Sequence, residues 1–285
     1  MTDNTIVVGV SEDLGSGMKL SASMVIENDT PRGTNWDRGD QVVTLAAPSY
    51  ALTLANTRSG GNQGAALVAP ANLADDVWSS AVITREAIDV AAITVPLNAA
   101  FSASYKYVEG KDLNAPKATD AASLKVLAAG ASGAVTPGAV THVLGGKYSA
   151  NGLTVVGQFN SSTFSDNLAA GLASTNGGNN TRTTSTDLSV IYNAGFATFG
   201  LGYDSARRGK PDSDAAATLV GVSVPFGAAT VGVNYGKRDS ASFTQVAAQY
   251  DLSKRTNVNL SFGNDTQSDK SGTNDQYRLS LNHSF

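Results

Sequence analysis

Apolar and polar residues alternate with a period of two from one end of the chain to the other, which commits it to β-strands. At the C-terminus Tyr277, Leu279, Leu281, His283 and Phe285 alternate with Arg278, Ser280, Asn282 and Ser284. The rhythm recurs in Val258, Leu260 and Phe262, in Val246, Ala248 and Tyr250, in Val231, Val233 and Tyr235, and in Phe199, Leu201 and Tyr203. Nearer the N-terminus it returns in Ile6, Val8 and Val10, in the row from Met18 to Ile26, in Tyr50, Leu52 and Leu54, and in Phe101, Ala103, Tyr105 and Tyr107. About fifteen strands can be counted, and Asn151-Gly152 is the strongest hairpin signal among their connections. Ala121 to Ala129 is the one segment that could form a helix.

The connections alternate in length. Short ones fall at Glu12 to Gly17, Ala47 to Ser49, Pro96 to Ala99, Ala150 to Gly152, Asn193 to Gly195, Pro225 to Gly227 and Leu252 to Lys254. Longer polar links lie between them: Asn28 to Asp37, Arg58 to Ser80, Glu109 to Gly138, Ser162 to Thr184, Ala206 to Asp214 and Asp265 to Asp275. One end of the sheet therefore carries turns and the other carries loops, which is the asymmetry of an outer-membrane barrel. A soluble sandwich has no reason to sort its connections in this way.

Composition identifies the wet face. Charged residues are 15% of the chain, against about 25% in a typical soluble protein. The polar rows are small and largely uncharged, whereas a solvated outer face carries many Lys and Glu. Tyr107, Tyr148, Phe159, Tyr192, Tyr203, Tyr235 and Tyr250 stand near strand ends, which suits a membrane-interface girdle. Sixteen strands of about 10 residues would take about 160 residues and leave ample chain for loops. A net charge of -4 sets nucleic-acid binding aside, and the absence of Cys excludes thiolate metal sites and a cysteine nucleophile. No apolar run is long enough for a transmembrane helix, which leaves a membrane barrel open. The expectation is an all-β, antiparallel transmembrane barrel of about sixteen strands with a water-filled lumen, one domain over residues 1–285.

Enzymatic chemistry finds little support. His142 and His283 are the only histidines, and neither accompanies a nucleophile motif, a phosphate loop or a metal-binding H-E-x-x-H. Gly200-Leu201-Gly202 reads as small residues on a lumen wall. No cofactor or metal is implied. Alternation places Lys19, Arg38, Lys106, Lys147, Arg255 and Arg278 on the lumen row, with Lys19 and Arg255 close enough to short turns to mark a rim instead. Asp187 and Asp204 are the clearest strand-borne acids opposing them.

Val8 to Glu27 (VGVSEDLGSGMKLSASMVIE) resembles an early hairpin of Gram-negative general porins of the betaproteobacterial and neisserial type, with their EDLG turn. Tyr250 to Phe262 (YDLSKRTNVNLSF) is similar to their penultimate hairpin, and Asn282 to Phe285 to their terminal strand. The resemblance implies a porin in the bacterial outer membrane that passes small ions and hydrophilic solutes by diffusion. It also implies contacts with outer-membrane lipid and lipopolysaccharide and a homotrimer, for which outward Ile6, Val8, Val10, Leu20 and Met24 are candidate contacts. Members have one strand before the EDLG hairpin, and because a closed antiparallel barrel needs an even number, the expectation is either that a strand is hidden in the Ala121 to Val140 region or that this first strand is absent from the chain, as the signal peptide is.

In that family the third loop folds inward and narrows the pore. The resemblance carries this role to Arg58 to Ser80, with Asp75 and Asp76 as its acids and Trp78 near its return. Arg38, Arg58, Arg85 and Lys106 become candidates for the basic wall opposite, and a weak anion preference is expected. The competing reading is a non-catalytic extracellular β-sandwich or adhesin-like surface protein, soluble without detergent. Replacing Asp75→Asn and Asp76→Asn together should alter both conductance and ion selectivity in planar bilayers; unchanged values for both would remove these residues from the constriction.

Overall fold

A computed structural model describes residues 4–28, 37–59, 65–70, 86–110, 139–164, 182–207, 215–238, 241–266 and 273–283. They form β1 (Asn4–Gly15), β2 (Met18–Asn28), β3 (Asp37–Ala47), β4 (Tyr50–Ser59), β5 (Glu86–Pro96), β6 (Phe101–Gly110), β7 (Ala139–Ala150), β8 (Leu153–Phe164), β9 (Arg182–Asn193), β10 (Thr198–Arg207), β11 (Ala215–Phe226), β12 (Ala229–Arg238), β13 (Ala241–Ser253), β14 (Thr256–Thr266) and β15 (Thr273–His283). All fifteen belong to one sheet in chain order, each antiparallel to the next. The expected count of about sixteen is not reached among the described residues, and no pairing there joins β1 to β15. These edge strands run in the same direction, because an odd number of up-and-down strands separates them. Antiparallel closure therefore requires one more strand.

The sorting of connections holds. Residues 16–17, 48–49, 97–100, 151–152, 194–197, 227–228 and 254–255 join strands at one end of the sheet. Links 29–36, 60–85, 111–138, 165–181, 208–214 and 267–272 lie at the other end, where 239–240 is the single short exception. Two-residue turns work here because their residues accept positive φ: Asn151 (53°) with Gly152 (76°), and Ser16 (53°) with Gly17 (77°). Strands run up to three residues further into the links than the alternation alone suggests, which brings Arg58 inside β4. The candidate helix at 121–129 lies outside the described residues.

The sheet is curled, as chain reach shows. Ala66 lies against Gly200 of β10 and Gly221 of β11, yet it follows the last residue of β4, Ser59, by only seven positions. That tether spans at most about 25 Å. In a flat sheet β10 and β11 would stand about 29 and 34 Å from β4, at about 4.8 Å per strand. Only curvature brings the far wall within reach.

Curvature also inverts the usual arrangement of apolar groups. Leu52, Leu54, Ile93, Leu144, Leu201, Val220, Val231, Val233, Val246 and Leu260 are exposed on the outward rows. Buried polar residues occupy the inward rows: Thr141, Asn160, Ser185, Ser189, Asn234, Gln245, Asn259 and Ser261. Aromatic side chains bracket the outer band. Phe101, Tyr192, Phe199, Phe226 and Tyr250 lie toward the turns, and Tyr107, Phe159, Tyr203, Tyr235 and Tyr277 lie toward the loops. Phe101 packs on its strand partner Tyr148 at 4.7 Å between ring centroids, and Phe262 on Tyr277 at 5.0 Å. Leu201 stands between Phe199 and Tyr203 in the apolar band, so Leu201→Arg should lower folding stability in lipid vesicles by about 2–4 kcal/mol, as read by denaturant titration.

Candidate functional site

The inner face holds itself together with hydrogen bonds between small side chains on directly opposed positions. Thr44 and Thr53 hydroxyls are 3.0 Å apart, and those of Thr141 and Ser162 are 2.7 Å apart. The Asn160 amide donates to Ser185 Oγ at 2.9 Å, and Asn234 Nδ2 donates to Gln245 Oε1 at 3.0 Å. Side chains of this size cannot fill the space around which a sheet of fifteen strands curls; barrels of eight strands are filled by side chains, and wider ones leave a lumen.

Charges stand on this wall in unequal environments. Lys106 and Lys147 alternate with outward Tyr105, Tyr107 and Tyr148 and so face inward, Lys106 half-buried and Lys147 exposed. Arg278 faces Ser261 across β14 and β15. Asp187 and Asp204 are direct partners on β9 and β10, and both are fully buried. Asp187 lies within electrostatic range of Lys106. Lys19 is exposed beside the first turn opposite Asp13, and Arg255 sits in the last tight turn, its backbone N–H donating to Ser253 Oγ at 3.1 Å. These two residues mark the turn-end rim.

Four sequence candidates, Asp75, Asp76, Trp78 and Arg85, lie outside the described residues. Arg38 and Arg58 are described as strand backbone. A bulge shifts the β2–β3 register so that Arg38 stands opposite Ile26, which interrupts the alternation behind its lumen assignment. Arg58 stands opposite Ala87, in step with Leu52, Leu54 and Asn56 of β4. The two histidines lie on the outer surface. His142 meets Tyr105 Oη through Nδ1 at 2.7 Å and lies edge-on to Tyr107, while His283 meets Thr256 Oγ1 at 2.9 Å near the turns.

Residues 65–70, in the link that leaves β4, rest on the inner wall far from their own strand. Ala66, Leu67 and Ala69 are buried. The Ala69 N–H donates to Asn234 Oδ1 of β12 at 3.1 Å. Alternation indicated none of this, because a link has no period. Alternation does place Leu219 and Phe243 on the inward rows of β11 and β13, where apolar side chains look out of place. They flank Gly236 across β11, β12 and β13 and lean over it, so a methyl there would stand 2.6 Å from Leu219 Cδ2 and collide with the Phe243 ring. Both are buried, so the lumen wall contains apolar side chains that are covered and not wetted.

An antiparallel sheet curled around a polar interior, apolar outside, girdled by aromatics and crossed by an inward segment defines an outer-membrane channel. The Gram-negative porin family model matches residues 1–270, and the chain belongs to that family. Porins are channels and not enzymes. Among solved structures, an anion-selective porin from Comamonas acidovorans shares the fold with a TM-score of 0.66 at 16% identity, over 99% of this chain and 89% of that one. A triple mutant of Rhodopseudomonas blastica porin does so with a TM-score of 0.60 at 11% identity, over 99% and 90%. Compared with curated proteins, the sequence has no match.

Proposed function

We propose that the chain forms a passive diffusion channel with weak anion preference for small ions and hydrophilic solutes, constricted by the link between β4 and β5. The observation that carries this reading is the seating of residues 65–70 on the inner wall of β10 to β12. Asp75 follows Pro70 by five positions, a reach of about 17 Å, so the acids of this link are tethered to a segment inside the lumen. Basic groups on the wall facing such acids create a transverse field that orders water and sorts solutes by charge. A polar interior removes most of the cost of stripping water from an ion, and the passage needs no covalent step or energy source.

Selectivity follows from which charges water can touch. Asp187 and Asp204 are wholly buried, whereas Lys147 is exposed and Lys106 and Arg278 are half-buried. Loop acids are screened beyond about 8 Å at physiological salt. Lys147, Lys106 and Arg278 thus present positive charge to passing ions, in keeping with the anion selectivity of the Comamonas acidovorans protein that shares the fold. Neutralising Lys106, Lys147 and Arg278 together should move the reversal potential under a salt gradient toward cation preference. No movement, or movement the other way, would show that other charges set the selectivity.

A homotrimer fits the outer surface. Ile6, Val8, Val10 and Met24 of β1 and β2 are exposed in one outward field, and beside it β3 to β6 carry a groove of about 480 Å³ lined by Val43, Leu45, Leu54, Ile93 and Tyr105. Packing against neighbouring copies would fill these faces beside lipid and lipopolysaccharide. The native mass of the detergent-solubilised protein should correspond to three chains, and a monomeric mass would defeat the assignment.

A further inference from the structure

Three inward glycines on consecutive strands lie under the segment that enters the lumen. Gly200 of β10 and Gly221 of β11 are direct partners, and Gly232 of β12 lies opposite Ser223, two residues further along β11. Each is filled by another part of the chain. A Cβ built on Gly200 or Gly221 would collide with the Ala66 carbonyl oxygen, and one on Gly232 would stand 2.7 Å from Ala69 Cα. The obstacles at Gly200 and Gly221 are backbone, which cannot rotate aside as the end of a side chain can. Asn234 fixes the segment on the same wall, with Oδ1 accepting from the Ala69 N–H at 3.1 Å and Nδ2 bonded to Gln245 at 3.0 Å.

The depth of this ledge matters for permeation. Gly200 lies five residues past the turn glycine Gly195, and Gly232 five past Gly227. Counted from the strand starts, Gly200 is the third residue of β10 and Gly232 the fourth of β12, so the ledge stands in the turn-ward half of the wall, beside the girdle aromatic Phe199. The segment is thus held against the turn-ward half of the wall, where a displacement of one methyl diameter changes the open cross-section.

We infer that Gly200, Gly221 and Gly232, with Asn234, form a side-chain-free ledge that positions the inward segment and thereby sets the width of the pore. The inference rests on the channel reading and assigns a positioning role to uncharged residues of the wall. Glycine acts here through its missing volume: backbone lies flush on backbone, and the Asn234 amide locks it in place. The glycine positions hold the segment against the wall, and the amide holds it in register along β12.

Single-channel recording of Gly200→Ala, Gly221→Ala and Gly232→Ala tests the ledge, with Gly9→Ala as a control on the wall of β1. At Gly9 a Cβ would meet nothing closer than 3.8 Å. Asn234→Ala removes the lock without adding bulk, so it tests the segment even if an added methyl prevents folding. The ledge variants and Asn234→Ala should keep the folded migration of the unheated protein on gels. Their mean open current should change and their open-channel noise should rise severalfold, while Gly9→Ala matches the parent. Parent-like current and noise in the ledge variants and in Asn234→Ala would overturn the ledge and leave the channel intact. A parent protein that conducts no current would overturn the channel reading itself.

Discussion

In hydrocarbon a backbone N–H or C=O without a partner costs several kcal/mol, and no water is present to supply one. The architecture of the wall follows from that constraint. The chain meets it with fourteen antiparallel ladders, β1 to β15 in unbroken order. With the backbone satisfied between neighbours, side chains need only match the medium on their side of the sheet. Leucine and valine turn outward, while threonine, serine and asparagine turn inward and bond to one another across strands. The same constraint singles out the unjoined edges of β1 and β15 as the place where the described sheet still needs a partner.

The sequence makes the wall legible because a strand repeats its two faces every second residue. Phe199, Leu201 and Tyr203 announce an outward row whatever lies beside them, and the turn at Asn151-Gly152 announces its own backbone angles. Gly200 and Gly202 could be read as small residues on the lumen side for the same reason. Arg38 marks the limit of this logic. A bulge adds a residue to β3 between Arg38 and Gln41, and every inference carried across it by counting in twos loses its footing.

What could not be read depends on contacts between distant parts of the chain. Gly200, Gly221 and Gly232 are unremarkable separately, and they become a ledge only when the register of β10, β11 and β12 places them side by side. Leu219 and Phe243 look misplaced on an inward row until Gly236 between them gives both side chains room and cover. The constriction role expected of Asp75 and Asp76 rests on the family resemblance, since a loop obeys no period that would fix their position.

Wall and constriction answer to different physics, and this chain keeps them separate. The wall must satisfy its backbone in lipid, so its register tolerates little change. The inward segment sits where water is present and is free of that demand, yet it has to hold a fixed position against thermal motion for the passage to have a defined width. Ladder bonds cannot supply that position, because the N–H and C=O groups of β10 to β12 lie in the plane of the sheet and pair with neighbouring strands. Contact area and a side-chain amide are what remain. Glycines bring the segment close enough for dispersion forces along its length, and Asn234 adds a bond that does not compete with the ladder. On this account the width of the pore rests on the uncharged ledge, and its selectivity on the charges of the wall.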